Sequence, residues 1–197
     1  MPLRSCLLAA CLAALPATAH AEWKPVEKDV HYAISGKTGP DLYASIGERG
    51  PKAGIGRTIA FTNFKLTWQR DYQPQPDGAC TLVSARPKLI ISYHLPKPSE
   101  NLPEPTARNW KVFIEGIRKH ERVHGETIVA MVQEIEAFSV GLSVPDDPNC
   151  KKIRTRLTER LAEISQAQRQ KSRDFDRVEM SDGGNVHQLI LAFVNGG

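Results

Sequence analysis

Hydrophobic positions along the first half of the chain have the pattern of β-strands. Val30, Tyr32 and Ile34 alternate with polar residues and predict a strand over residues 29–35, and segments rich in hydrophobic and aromatic residues predict strands over residues 59–72 and 80–95. The connection between the second and third strands contains two prolines and an Asp-Gly pair, which favour a hairpin turn. Residues 38–49 have helical spacing instead and end at a Gly-Pro pair, so we expect a short helix there.

The spacing of hydrophobic residues changes to three and four after a proline-rich linker at residues 96–105. This spacing predicts a long helix from Thr106 to about Gly141 and a second helix over residues 150–173. The chain from Phe175 onwards lacks clear periodicity, so we expect an irregular tail. Antiparallel strands with a short helix, followed by two long helices, predict an α+β fold.

The first 21 residues have the features of a secretory signal peptide. Arg4 supplies a positive charge, residues 6–15 form an apolar run, and the Ala-His-Ala sequence at residues 19–21 fits a cleavage site. The segment before Cys11 resembles a lipoprotein signal, but the apolar run continues past this cysteine, so we do not expect a lipid anchor. The mature protein is then a single domain, residues 22–197, in the periplasm or secreted.

Composition and charge narrow the classes of function. Of the 197 residues, 41% are hydrophobic and 24% are charged, as in an ordinary globular protein. The formal net charge of +4 is spread along the chain and forms no basic stripe, so we do not expect a nucleic-acid partner. The longest apolar run is too short for a transmembrane segment.

Two cysteines, Cys80 and Cys150, remain after the predicted leader is removed. An isolated pair of cysteines in an oxidising compartment usually forms a disulfide. Cysteine ligands of a metal usually lie close together as Cys-x-x-Cys, and that spacing is absent from this sequence. We therefore predict a disulfide between Cys80 and Cys150.

The strongest chemical signal is the sequence His-Glu-Arg-Val-His at residues 120–124, in the middle of the predicted long helix. His120 and His124 are four residues apart and project from one helix face, so both imidazoles can reach one zinc ion. Glu121 lies beside the first histidine and can take a proton from a water that zinc activates. The motif predicts a zinc-dependent hydrolase with Zn²⁺ as its cofactor and Glu121 as its general base.

Several short segments accompany this motif along the mature chain. They are Tyr32-Ala33-Ile34-Ser35-Gly36, Leu42, Gly50-Pro51, Thr67-Trp68, Gly78-Ala79-Cys80, Leu95-Pro96, Trp110, Cys150 and Phe175-Asp176. Together they resemble a bacterial family of predicted secreted zinc-dependent proteases that is catalogued as a domain of unknown function. The resemblance implies a peptide or protein substrate, and with the motif it leads us to expect a zincin-like metallopeptidase domain.

The third protein ligand of a catalytic zinc site remains open in the sequence. Members of the family carry a Thr-x-His-Gly segment near the C-terminus, and Asp182 lies nearest to the place of that missing histidine. We rank Asp182 first, His187 second and Glu163 third. Asp176 and Glu159 are further candidates, and a glutamate on the following helix, such as Glu159 or Glu163, would fit another common zincin arrangement.

Three functions remain compatible with these residues. The first is a zinc peptidase, and the second is a zinc amidase that acts on cell-wall peptides with the same mechanism. The third is a non-catalytic periplasmic module that binds metal, protein or cell wall through a degenerate site. The intact Glu121 favours an enzyme, whereas the altered C-terminal segment favours the non-catalytic module.

Overall fold

The computed structural model describes residues 23–53 and 56–196, so the predicted signal peptide lies outside the described residues. The strands and helices follow one another in an order that confirms the predicted α+β class. They are β1 Val26–Ile34, α1 Gly39–Arg49, β2 Lys52–Ala53, β3 Gly56–Arg57, β4 Phe61–Pro74, β5 Cys80–Pro98, α2 Thr106–Ser139, β6 Ser143–Val144, α3 Lys152–Met180 and α4 Asn185–Asn195.

The central strand of the main sheet is β5, which pairs with β4 on one side and β1 on the other. The β4–β5 pair is antiparallel, as the hairpin prediction required. The short strand β6 pairs antiparallel with the first two residues of β5. β1 runs parallel to β5, whereas we expected antiparallel strands throughout. This difference follows from the connection, since α1 and β4 separate β1 from β5 and no tight turn sets their relative direction.

The core lies between the sheet and α2. Leu89, Ile91 and Leu95 of β5 are buried together with Phe113 and Ile117 of α2. Their even spacing on the strand and their spacing of four on the helix put them on one face of each element. Because this packing holds α2 against the sheet, side chains on neighbouring faces of the helix keep a defined position relative to β4.

Gly125, directly after the second motif histidine, allows α2 to approach β5 closely. A methyl group at this position would overlap the side-chain hydroxyl of Tyr93. Tyr93 is buried and its hydroxyl donates a hydrogen bond to Glu27 Oε2 at 3.0 Å, so it has little freedom to move away. The glycine therefore sets the depth at which the motif helix lies on the sheet.

The C-terminal third is more helical than we predicted. α3 continues to Met180, past the predicted end at residue 173, and α4 occupies most of the tail that we expected to be irregular. The second half of α3 is largely exposed and has no continuous apolar stripe, which is why periodicity missed it. Its polar residues are adequate helix formers, and the Arg177–Asp174 ion pair spans one turn. The extension places Phe175 and Asp176 on a helix packed beside α2.

The predicted disulfide between Cys80 and Cys150 is confirmed. It joins the first residue of β5 to the turn that precedes α3, and both cysteines are buried against Leu82, Ile153 and Leu157. A disulfide of this kind is typical of proteins outside the reducing cytoplasm. No helix in the described part of the chain is long and apolar enough to cross a membrane.

Candidate metal centre

The two motif histidines converge at the middle of α2. Their Nε2 atoms lie 3.2 Å apart, with the ring planes inclined by 76°. Both rings are largely buried, with 10% and 13% of the side-chain surface exposed for His120 and His124. The helical spacing of four thus brings two imidazole nitrogens to one point.

Asp176 of α3 completes a triangle of donor atoms with these histidines. Its Oδ1 atom lies 2.9 Å from His124 Nε2 and 3.2 Å from His120 Nε2. Tetrahedral zinc with bonds of about 2.0–2.1 Å holds its ligand atoms about 3.3 Å apart, so the triangle has the size that zinc requires. Among the described residues, these three form the group of His, Cys, Asp and Glu side chains with metal-binding geometry.

The charges within the triangle favour a cation. Burial alone would raise the pKa of Asp176, but hydrogen bonds from the two histidines and their charge hold its pKa well below the usual range. Burial of the His120 ring disfavours its charged form, yet Asp176 and the nearby glutamates outweigh burial and raise its pKa. In the metal-free protein these groups attract a proton, and a metal ion that binds to them would displace that proton.

Phe175 fixes the orientation of both imidazoles. Its ring stacks on His120 with centroids 4.8 Å apart and meets His124 edge-on at 5.5 Å. Since Phe175 and Asp176 are consecutive on α3, one short segment both supplies the carboxylate and packs against the rings. The extension of α3 beyond the predicted end is therefore what assembles the site.

The far side of the His120 ring faces a second carboxylate. His120 Nδ1 is buried and has no hydrogen-bond partner among the residues described. The nearest carboxylate oxygen is Glu179 Oε2 at 3.7 Å, and the Glu179 side chain is only 12% exposed. Metal-binding histidines usually donate the hydrogen of their second ring nitrogen to such a group, which leaves Nε2 free to ligate. Glu179 is therefore the carboxylate nearest to the position that such an acceptor would take.

Glu121 lies beside the triangle with its side chain 5% exposed. The Thr62 hydroxyl of β4 donates a hydrogen bond to Glu121 Oε2 at 2.5 Å and lies 3.1 Å from the Glu121 main-chain oxygen. Burial raises the pKa of Glu121, while the Thr62 hydrogen bond and the two histidines act in the opposite direction. Thr62 had no signal in the sequence, because only the packing of β4 on α2 brings the two residues together.

The triangle and Glu121 open into a cavity of about 550 Å³ between β4, α2, α3 and the start of α4. Apolar side chains line the walls from β4 and the helices, and polar side chains of α3 line the remaining wall. The lining includes Ile59, Phe61, Phe64, Ile117, Ile128, Met180 and Val186 on the apolar side, and Gln168, Arg169, Ser172 and Arg173 on α3. A cavity of this size can accept side chains of a peptide or a small molecule.

Residues 30–184 match a family described as "Bacterial protein of unknown function (DUF922)". The chain belongs to this family. The match spans the sheet, α2 and α3, so it includes the donor triangle and Glu121. No curated protein and no solved structure matches the chain. The family description names no activity, so the protease activity suggested by the motif remains a prediction.

The candidates that we ranked for the third ligand lie elsewhere in this structure. Asp182 is in the turn between α3 and α4, and His187 Nδ1 accepts a hydrogen bond from the Gly183 N–H at 3.2 Å. Glu163 pairs with Arg160 at 2.9 Å, and 13 positions along α3 separate it from the triangle, which corresponds to about 20 Å.

The order of candidates is therefore revised, and Asp176 replaces Asp182 in first place. The sequence offered Asp176 as a further candidate, but no periodic spacing of apolar residues predicted a helix at that position. The physical reason for the change is the length of α3: a helix that continues to Met180 carries Asp176 against α2, whereas an irregular tail would not. Glu159, on the same helix, also lies outside the donor triangle.

Proposed function

We propose that this protein is an exported zinc-dependent hydrolase that cleaves peptide or related amide bonds. The observation that carries the proposal is the meeting of His120 Nε2, His124 Nε2 and Asp176 Oδ1 beside the buried Glu121, in the lining of a cavity of about 550 Å³. Coincidental histidine pairs on a helix lack the third donor, the neighbouring carboxyl group and the space for a substrate.

The donor set fits zinc. Two imidazole nitrogens and one carboxylate oxygen are common ligands of catalytic zinc, and such sites keep a fourth position for water or substrate. His120, His124 and Asp176, which would hold the zinc, all line the cavity, so a water or substrate in the cavity could reach the metal. When bound, zinc lowers the pKa of a water to about 7 and polarises an amide carbonyl. The buried His120 Nδ1 beside Glu179 also fits, because a ligating imidazole needs an acceptor for its second nitrogen.

Glu121 acts as the general base in this proposal. Its carboxylate takes a proton from the attacking water and later delivers that proton to the departing amine nitrogen. Burial raises its pKa, which suits a group that must both accept and release a proton near neutral pH. Thr62 holds one carboxylate oxygen, so the other remains available for the water.

Export to the periplasm or beyond is part of the same proposal. It is supported by the signal-peptide features of residues 1–21 and by the Cys80–Cys150 disulfide, which suits an oxidising compartment. The substrate would then be an extracytoplasmic peptide or protein, or a peptide of the cell wall.

The proposal is tested by metal analysis and a substrate screen on the purified mature protein. We expect one zinc ion per chain in the wild-type protein and none in either His120→Ala or His124→Ala. A screen of unfolded proteins and cell-wall peptides should then find a substrate, and Glu121→Gln should keep zinc but lose about 10² to 10⁴ in rate. Glu126→Gln, an exposed glutamate of the same helix outside the cavity lining, is the matched control and should keep full activity.

Two results would contradict the proposal. Unchanged zinc content in both histidine variants would put the metal elsewhere. Full activity of Glu121→Gln on a substrate that the wild-type protein cleaves would remove Glu121 from the mechanism.

A further inference from the structure

Two arginines of α3 line the cavity and have no part in the mechanism described above. Arg169 and Arg173 are four residues apart, so they lie on one face of the helix, one turn from each other. Asp176 follows three residues after Arg173 on the same side. The wall that supplies the third metal ligand therefore continues away from the metal centre as a line of positive charge.

The charges of these arginines are not neutralised within the described residues. Neither guanidinium has a carboxylate oxygen within 4.0 Å in that part of the chain, and Arg173 contacts the neutral amide oxygen of Gln170. The neighbouring acid, Asp174, is paired with Arg177 instead. Both guanidinium groups are thus available to a bound molecule.

The balance of charge in the cavity favours an anionic ligand. Glu121 and Asp176 supply the carboxyl groups that line the cavity, and the positive charges of Arg169 and Arg173 balance the negative charges of these two carboxylates. A divalent cation on the donor triangle leaves the cavity with an excess of positive charge. Electrostatic attraction would then raise the local concentration of a negatively charged substrate and orient it along α3.

The spacing along α3 indicates where a negative group would bind. With a rise of 1.5 Å per residue, Arg173 lies about 5 Å and Arg169 about 10 Å along the helix axis from Asp176. An extended peptide advances about 3.3–3.6 Å per residue, so these distances correspond to one to three residues from the bond at the metal centre. Arginine recognises a carboxylate through its fork of N–H donors.

The cavity also offers accessible apolar side chains. Phe64, which lies on the same face of β4 as Thr62, and Met180, at the end of α3, line the cavity and keep 38% and 49% of their surface exposed. Large exposed apolar side chains around a cavity mark a place where an apolar group is bound. One ligand that contacts these side chains and the two arginines would carry an apolar side chain and a carboxylate within a few residues of each other.

We propose that the substrates are peptides with an apolar residue next to the scissile amide and a carboxylate one to three residues away, which Arg169 and Arg173 bind. The carboxylate is either an acidic side chain or the free C-terminus of the peptide. This inference rests on the proposed function, because it places the scissile amide at the metal centre.

The test measures the binding of peptide hydroxamates, whose hydroxamate group ligates zinc, to the zinc-loaded mature protein. All probes carry a leucine side chain, followed by glutamate amide, by glutamine amide, or by glutamine with a free carboxyl terminus. The first and third probes present the two sources of carboxylate, and the second is neutral. We expect at least one anionic probe to bind about tenfold more tightly than the neutral probe at low ionic strength.

The variant Arg169→Gln/Arg173→Gln should abolish this preference and leave the affinity for the neutral probe unchanged. Arg177→Gln is the matched control, since Arg177 lies on α3 but does not line the cavity, and it should keep the preference. Equal binding of all three probes to the wild-type protein, or a preference that survives in the double variant, would overturn this inference alone. Failure of every hydroxamate to bind the zinc-loaded protein would overturn the proposed function as well.

Discussion

Replacement of Asp176 by alanine offers the most direct test of the donor triangle, because the structure brings Asp176, a residue that the sequence ranked low, against the two histidines. Asp176→Ala removes the oxygen that lies 2.9 and 3.2 Å from the two histidine nitrogens. It leaves the histidines, their helix and the disulfide in place. We expect the variant to fold and to bind zinc much more weakly than the wild-type protein.

The magnitude follows from the linkage between binding and stability. At a free zinc concentration of 100 times the dissociation constant, zinc stabilises the wild-type protein by about 2.7 kcal/mol. For a domain of about 150–250 residues, this raises the melting temperature by roughly 5–11 °C. Removal of a group that hydrogen-bonds to a metal ligand weakens metal binding about 10- to 100-fold, so removal of a ligand itself should weaken zinc binding at least about 100-fold. At the same zinc concentration the variant then gains about 0.4 kcal/mol, or roughly 1 °C.

The assay is thermal unfolding of each protein with and without buffered zinc. Each variant is compared with its own metal-free form, because removal of Asp176 also takes away the negative partner of His120 and His124. Asp182→Ala is the matched control, since Asp182 lies near the end of α3 but outside the triangle, and it should keep the full zinc-dependent shift. A full shift in Asp176→Ala together with a lost shift in Asp182→Ala would refute the assignment and restore the order inferred from sequence.

Three further predictions concern the scaffold around the site. The Cys80→Ala/Cys150→Ala variant should lose about 4 kcal/mol of unfolding free energy in urea titration, because the disulfide closes a loop with a sequence separation of 70. Thr62→Val should retain zinc but lower the rate of hydrolysis, and Thr62→Ser should restore it, because the hydroxyl positions the Glu121 carboxylate. Asp147→Asn should lower the melting temperature at pH 7 by a few degrees, since the Asp147 carboxylate accepts hydrogen bonds from N–H groups at the start of α3. Burial opposes ionisation of Asp147, but backbone hydrogen bonds outweigh burial and lower its pKa. The stability that the carboxylate contributes is therefore present above the pKa of the unfolded chain and is lost as the pH falls through the lowered pKa of the folded protein. The difference in melting temperature between Asp147→Asn and the wild-type protein should shrink accordingly in acid.

Each of these predictions has an outcome that contradicts it. Equal stability of oxidised wild-type protein and the double cysteine variant would mean that the unfolded chain gains no freedom when the disulfide is removed. An inactive Thr62→Ser variant would show that strand shape, and not the hydroxyl, matters at that position. For Asp147, a deficit that persists undiminished down to about pH 2 would show that ionisation of the carboxylate is irrelevant.

The amphipathic parts of the fold were predictable because burial leaves a period in the sequence. Hydrophobic and aromatic residues located β4 and β5, and the spacing of three and four located α2, since one side of each element faces the core between the sheet and α2. The pair Cys80 and Cys150 was predictable once the leader was recognised, because the two cysteines that remain after its removal have only one intramolecular pairing. The direction of β1 was not predictable, because a long connection permits either direction.

What the sequence determined about the site is its local part: His120, Glu121 and His124 belong to one helical turn, so their relation depends on helix geometry alone. The partners of that turn were decided by tertiary structure. Asp176 and Thr62 reach the site only because α3 extends past its last buried residue, Ile164, and because β4 packs on α2. An exposed helix with no apolar stripe and a strand-to-helix hydrogen bond leave no period along the chain, so neither contact can be seen until the elements are packed together.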